Sequence, residues 1–140
     1  YYYLTEKPHD KSFLGGTCTD DWRDKFIPML EAHIDPFNPV VEDWTTEAQE
    51  AEEQAKKESD FRLYVITPNM EGVFSICEAT DDSNKTPETT IFVVLPEYKD
   101  NKFYKGQLKS LIATAKVIRD NGAQVFSSLE STATFLNNIS

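Results

Sequence analysis

Five consecutive apolar residues, Ile91-Phe92-Val93-Val94-Leu95, constrain this chain more than any other segment. A strand with one wet face alternates apolar and polar residues. A run without alternation needs cover on both faces, as in a central strand of a parallel sheet. Phe61 to Ile66 repeats the pattern, with Arg62 as its one departure. Ser12-Phe13-Leu14, ending in Gly15-Gly16, and Gln124-Val125-Phe126 read as shorter strands. Ile34 to Val41 contains Pro36 and Pro39, which predict a short strand breaking into an ordered loop.

Helical patterns separate these strands. Trp22, Phe26, Ile27 and Leu30 form one apolar face. Glu47 to Ser59 is rich in Ala, Glu, Gln and Lys but poor in apolar residues, which predicts a helix on the surface or along a polar cleft. Thr46 with Gln49 predicts its capping box. Val73 to Asp81 reads as a third helix, after the loop Thr67 to Gly72. Leu108, Leu111, Ile112, Ala115 and Ile118 stripe a fourth, which stops near Asn121-Gly122. Ser127 with Glu130 caps a last helix carrying Leu129, Ala133 and Leu136. Strand and helix alternate, and each crossover is long enough for a right-handed parallel connection. The expected fold is α/β: a single doubly wound, Rossmann- or flavodoxin-like parallel sheet of about five strands with helices on both faces. Residues 1–140 form one domain in this reading, with 1–10 as a lead-in.

The 24 acids outweigh 14 bases and leave a net charge of −10. No Lys/Arg cluster offsets that excess, so a nucleic-acid polymer is excluded as the default partner. No apolar stretch is long enough to span a membrane, and YYYLTEKPHD lacks the basic-then-apolar plan of a secretory signal. A soluble, cytoplasmic protein is expected. The two cysteines, Cys18 and Cys77, have no metal-ligand spacing and read as reduced, small core or near-core residues. A metal site and a Cys–His nucleophile pair are both disfavoured, since only His9 and His33 are present to assist.

In a doubly wound sheet, ligands bind beyond the carboxyl ends of the strands, where strand order reverses. Three loops lie there: Gly15 to Arg23, Phe37 to Trp44, and Thr67 to Glu78. Gly15 and Gly16 allow a ligand close to the backbone or simply turn the chain, and Arg23 meets an anion or a surface acid. The spacing is not that of a dinucleotide fingerprint. Gly72, Ser75 and Glu78 recur every three residues and share one face at the start of a helix, with Val73, Ile76 and Cys77 on the other. A helix start favours an anion near Gly72 to Ser75. Taken alone, Glu78 reads as a solvated helix residue.

The blocks FLGGT, WRDKFIP, DPFNPVVEDW, DFRLYVITPNMEGVFSICEA and DDSNKTPE resemble the nucleoside 2-deoxyribosyltransferase-like proteins over roughly residues 12–137. That family is similar in fold to nucleoside deoxyribosyltransferases and deoxynucleotide N-glycosidases. The resemblance implies cleavage or transfer at the N-glycosidic bond of 2-deoxyribonucleosides or their 5′-monophosphates. It implies Glu78 as nucleophile, forming a covalent deoxyribosyl-glutamate, and Glu52 as proton donor, with Glu53 beside it. Gly15 and Gly16 would lie against base or sugar, Asn38 would shape the base pocket, and Trp22 and Met70 would wall it. Gly72 and Ser75 match positions that hold a 5′-phosphate in the nucleotide-cleaving relatives. The transferases carry an aspartate just before the nucleophile's helix. Here Gly72 stands six before Glu78, with Glu71 adjacent, so transfer and hydrolysis both stay open. The resemblance implies no metal or organic cofactor, a small-molecule nucleoside or nucleotide substrate, and a homo-oligomer, a dimer or larger. A non-catalytic nucleotide-binding or signal-sensing module is the alternative. A flavin-binding protein fits less well, because the first loop lacks a Ser/Thr-rich phosphate cradle.

Overall fold

A computed structural model describes residues 10–139. Of the ten-residue lead-in, only Asp10 is among the described residues, and it opens the first strand. The chain runs β1 (Asp10–Gly16), α1 (Trp22–Phe26), β2 (Ile34–Phe37), α2 (Thr46–Glu58), β3 (Phe61–Ile66), α3 (Phe74–Lys85), β4 (Thr90–Val94), β5 (Glu97–Tyr98), β6 (Asn101–Lys102), α4 (Lys105–Asp120), β7 (Gln124–Phe126) and α5 (Leu129–Asn137). Five strands form one parallel sheet in the order β2-β1-β3-β4-β7. Strand order reverses between β1 and β3, the expected position of a site. β5 and β6 form a separate antiparallel hairpin whose turn holds Lys99 at a φ of 55°. Sequence pattern did not anticipate this hairpin.

The alternation of side chains divides the core in two. Leu14, Leu63, Val65, Ile91 and Val93 face one side, where α1 and α5 contribute Trp22, Phe26, Leu129, Ala133 and Leu136. Tyr64, Ile66, Phe92 and Val94 face the other, where α3 and α4 contribute Ala79, Leu111, Ala115 and Ile118. All five residues of β4 are buried, as a strand covered on both faces requires.

Element ends differ from expectation by short steps. Thr45, not Thr46, caps α2, its side chain accepting from the Ala48 N–H. Ser128, not Ser127, caps α5 and accepts from the Ser131 N–H. In each case the extended residue immediately before the helix holds the oxygen that can turn back to the first free N–H groups. α1 is shorter than its apolar pattern, because Pro28 sits in a 3-10 turn spanning Ile27–Met29. α3 runs on to Lys85, and α4 stops at Asn121 with Gly122 at a φ of 109°. No described helix is long and apolar enough to cross a membrane.

Candidate active site

The floor of the cleft is the end of β1. Gly16 has a φ of 115°, and a Cβ there would stand 2.1 Å from the Val65 carbonyl oxygen. Only glycine fits this close approach. The contact lets the Thr17 N–H donate to Val65 O at 2.9 Å and carries the chain from β1 across the top of β3. Gly15 is different. Its face is filled by the rings of Tyr64 and Phe13, and it does not line the cavity above.

Polar side chains bind the loop after β1 to the loop after β3. Thr17 Oγ1 accepts from the Thr67 N–H at 3.0 Å. The Thr67 hydroxyl donates to Asp20, which also accepts from Asn69 and from the Trp22 N–H. Thr19 donates to the Asn69 carbonyl. Thr17, Asp20 and Thr67 escaped the sequence reading. Their signal was a Thr- and Asp-rich turn, which reads equally well as a set of helix caps.

Trp22 and Arg23 lie under this loop. Trp22 is 0% exposed and packs in the core, with its indole N–H donating to Thr17 O at 2.8 Å. It therefore does not wall a pocket. The Arg23 guanidinium is buried over the Trp22 ring and donates to the carbonyls of Leu14, Thr17 and Gly16. Burial pushes its pKa down from the ordinary arginine value, the nearby Cys18, Asp20 and Asp24 opposing that shift. Its donors point into the chain and fix the loop, so the expected contact with a ligand anion is not what the geometry offers.

A cavity of about 200 Å³ opens above the floor. Gly16, Thr17, Cys18, Ile66, Met70, Gly72, Phe74 and Ser75 line it, with Glu71 as its charged residue. Gly16, Met70, Gly72 and Ser75 are thus brought together as the sequence suggested. Asn38 is not. Its Oδ1 accepts from the Val40 N–H in the loop after β2, whose residues do not line this cavity. Cys18 and Cys77 are both exposed and free, which corrects the core assignment. Cys18 sits on a loop that Thr17 and Trp22 already anchor. Cys77 lies on the outer side of α3, where Ile76 and Ala79 supply the packing instead. Val73 is exposed as well.

One turn beyond Ser75, Glu78 turns toward α2. Its Oε2 accepts from Lys56 Nζ in an ion pair whose side chains are 19% and 25% exposed. The same ammonium lies 5.7 Å from the centroid of the Tyr64 ring. Glu52 stands one turn before Lys56 on α2. Burial, and then the charge of Glu78, push its carboxyl above the usual carboxylate range, against the opposing pull of Lys56. The Tyr64 hydroxyl donates to Asp82, which Arg62 also holds at 3.4 Å. Burial and the bond to Asp82 push the phenol pKa far upward. Lys56 was not singled out from sequence, because a lysine on a polar helix reads as solvated. Its position four residues after Glu52 was the available signal.

Chemically, the arrangement offers one carboxylate compensated by an ammonium and a second whose carboxyl is pushed above the usual carboxylate range. Paired carboxyl groups with divergent environments can divide the work of nucleophile and acid. Among the described residues, no cluster of three or more His, Cys, Asp or Glu side chains could hold a metal ion.

Comparison with known proteins bears on the family of the chain. No curated protein matches the chain. The sequence profile described as nucleoside 2-deoxyribosyltransferase like matches residues 10–98, which span β1 to β5 and contain the cavity, Glu52 and Glu78. The match stops short of α4, β7 and α5, over which the sequence resemblance had been extended. It covers more than half of the chain, and the protein belongs to the nucleoside 2-deoxyribosyltransferase-like family.

Proposed function

We propose that the protein cleaves or transfers the N-glycosidic bond of 2-deoxyribonucleosides or their 5′-monophosphates through a covalent intermediate on Glu78. The observation that carries this reading is the Glu52–Lys56–Glu78 group, where one carboxylate is charge-paired and the other is pushed toward its acid form. An oxocarbenium-like transition state wants an anion at C1′ and a proton for the departing base. Glu78 supplies the first and Glu52 the second. The sugar sits over Gly16 with its 5′ end toward Gly72 and Ser75 at the start of α3. The N-cap residue of that helix, Val73, makes no side-chain cap and leaves N–H groups free. Glu71 is the charged group on the cavity lining, which favours a neutral 5′-hydroxyl over a 5′-phosphate.

A base-exchange assay read by chromatography tests this. The protein is mixed with each deoxynucleoside or its monophosphate, with and without a second free base. Exchange marks a transferase, and free base alone marks a hydrolase. Glu78→Ala should lower turnover by at least about a thousandfold, with little change in melting temperature. Turnover that survives in this variant removes Glu78 as nucleophile. The binding-module reading draws on one observation: the cavity lining ends at Ser75, before Glu78. A nucleotide that raises the melting temperature without any turnover would favour it.

A further inference from the structure

The position of Lys56 carries an inference that rests on the reaction above and goes beyond it. We propose that Lys56 is a positioning residue that exchanges carboxylate partners during turnover, pairing with Glu78 while Glu78 is free and with Glu52 once Glu78 is esterified. The geometry shows the first partner and places the second on the same helix. Its ammonium is on Glu78 Oε2, and its helix places Glu52 one turn away on the same face. The other groups nearby are already engaged. Asp82 of α3 is held by Arg62 and Tyr64 of β3, and Arg23 of α1 is spent on backbone carbonyls. Glu53 of α2 is exposed beside Glu52.

The charges balance through both half-reactions. At the start, Glu78 is an anion, Lys56 a cation and Glu52 protonated. Glu78 attacks C1′, the bond from C1′ to the base nitrogen breaks, and its electron pair takes the Glu52 proton. The ester is now neutral, and the negative charge has moved to Glu52, again beside Lys56. In the second half, Glu52 takes a proton from water or an incoming base, whose lone pair attacks C1′. The ester bond breaks, and its electron pair returns to Glu78. The three side chains sum to zero charge before, between and after. A partly buried site therefore never holds an uncompensated charge, which would be costly. Loss of the Glu78 charge also removes the repulsion that raises the Glu52 pKa, converting an acid into a base at the moment a base is needed.

Carboxyl NMR titration of Glu52 reads this directly in the intact protein. Glu78→Gln stands in for the neutral ester, with Glu78→Ala as a second variant if the first folds poorly. Glu52 should titrate about one pH unit lower or more in these variants than in the wild type. Adding Lys56→Met should remove the part of that decrease that Lys56 supplies, and Lys56→Arg should keep it. In kinetics, Lys56→Met should shift the pH dependence of base release, and Lys56→Arg should restore it. A Glu52 titration indifferent to Glu78, or a decrease that persists undiminished in Lys56→Met, overturns the partner exchange. If the wild type turns over deoxynucleosides while Glu52 ignores Glu78, the exchange alone fails. If the wild type turns over none of them, the catalytic reading fails, and the exchange with it.

Discussion

The two sides of the sheet are built on different terms. The side under α1 and α5 is sealed by Trp22, Phe26, Leu129, Ala133 and Leu136, all buried. The side under α2 and α3 holds the Lys56–Glu78 pair and the Tyr64–Asp82–Arg62 group, with Glu52 one turn before Lys56, and α2 contributes no buried residue. The first side gives stability through apolar burial. The second side has its own apolar cluster under α3 and α4, but α2 adds no buried residue to it and is held by a cap and ion pairs worth little each. The difference teaches that Glu52 and Lys56 stand on a helix with no buried residue, while Trp22 and Arg23 are held firmly beneath the floor of the cleft.

Gly16 joins the two regions, and Gly16→Ala should produce the largest effect, on the order of 4 kcal/mol or more in denaturant unfolding. A normal melting curve would mean that the floor moves freely. Next, Trp22→Ala should cost about 3–5 kcal/mol, since it empties the sealed side and removes one of the two donors to the Thr17 carbonyl. A loss under about 1 kcal/mol would show that the sealed side is not what holds the fold. The two caps sharpen the contrast. Thr45→Ala and Ser128→Ala each remove a cap worth about 1 kcal/mol. Ser128→Ala should lower global stability, whereas Thr45→Ala should mainly speed amide exchange in α2. Equal effects on global melting would erase the distinction between the helices. The smallest effect concerns pH. The Glu52 pKa is raised in the folded protein, so folding is weakened as pH climbs from the unfolded carboxylate value through the folded one. Glu52→Gln should therefore raise the melting temperature slightly at neutral pH and leave it unchanged below the carboxylate range. A variant equally stabilised at both pH values would deny the shift.

The fold was legible where one segment carried its own reason. Ile91 to Val94 needed cover on both faces, and α4 showed its stripe and its stop at Gly122. The site was legible only in part. Gly16, Met70, Gly72 and Ser75 come from two of the three loops that the strand-end rule selects. The resemblance places Trp22 on a pocket wall, and the loop position of Arg23 suggests an anion or a surface acid, but both side chains are buried beneath the loop. Their helix turns them inward, onto carbonyls that only the folded loop presents. Lys56 was invisible for the opposite reason, since its partner lies 22 residues away on another helix.

The exposure of both cysteines has a practical use. Cys18 borders the cavity, and Cys77 stands on the outer side of the neighbouring helix. A mild thiol reagent would modify both. A molecule filling the cavity would slow labelling at Cys18 and leave Cys77 as an internal clock, so the ratio of the two modified peptides by mass spectrometry reports occupancy without any engineered probe.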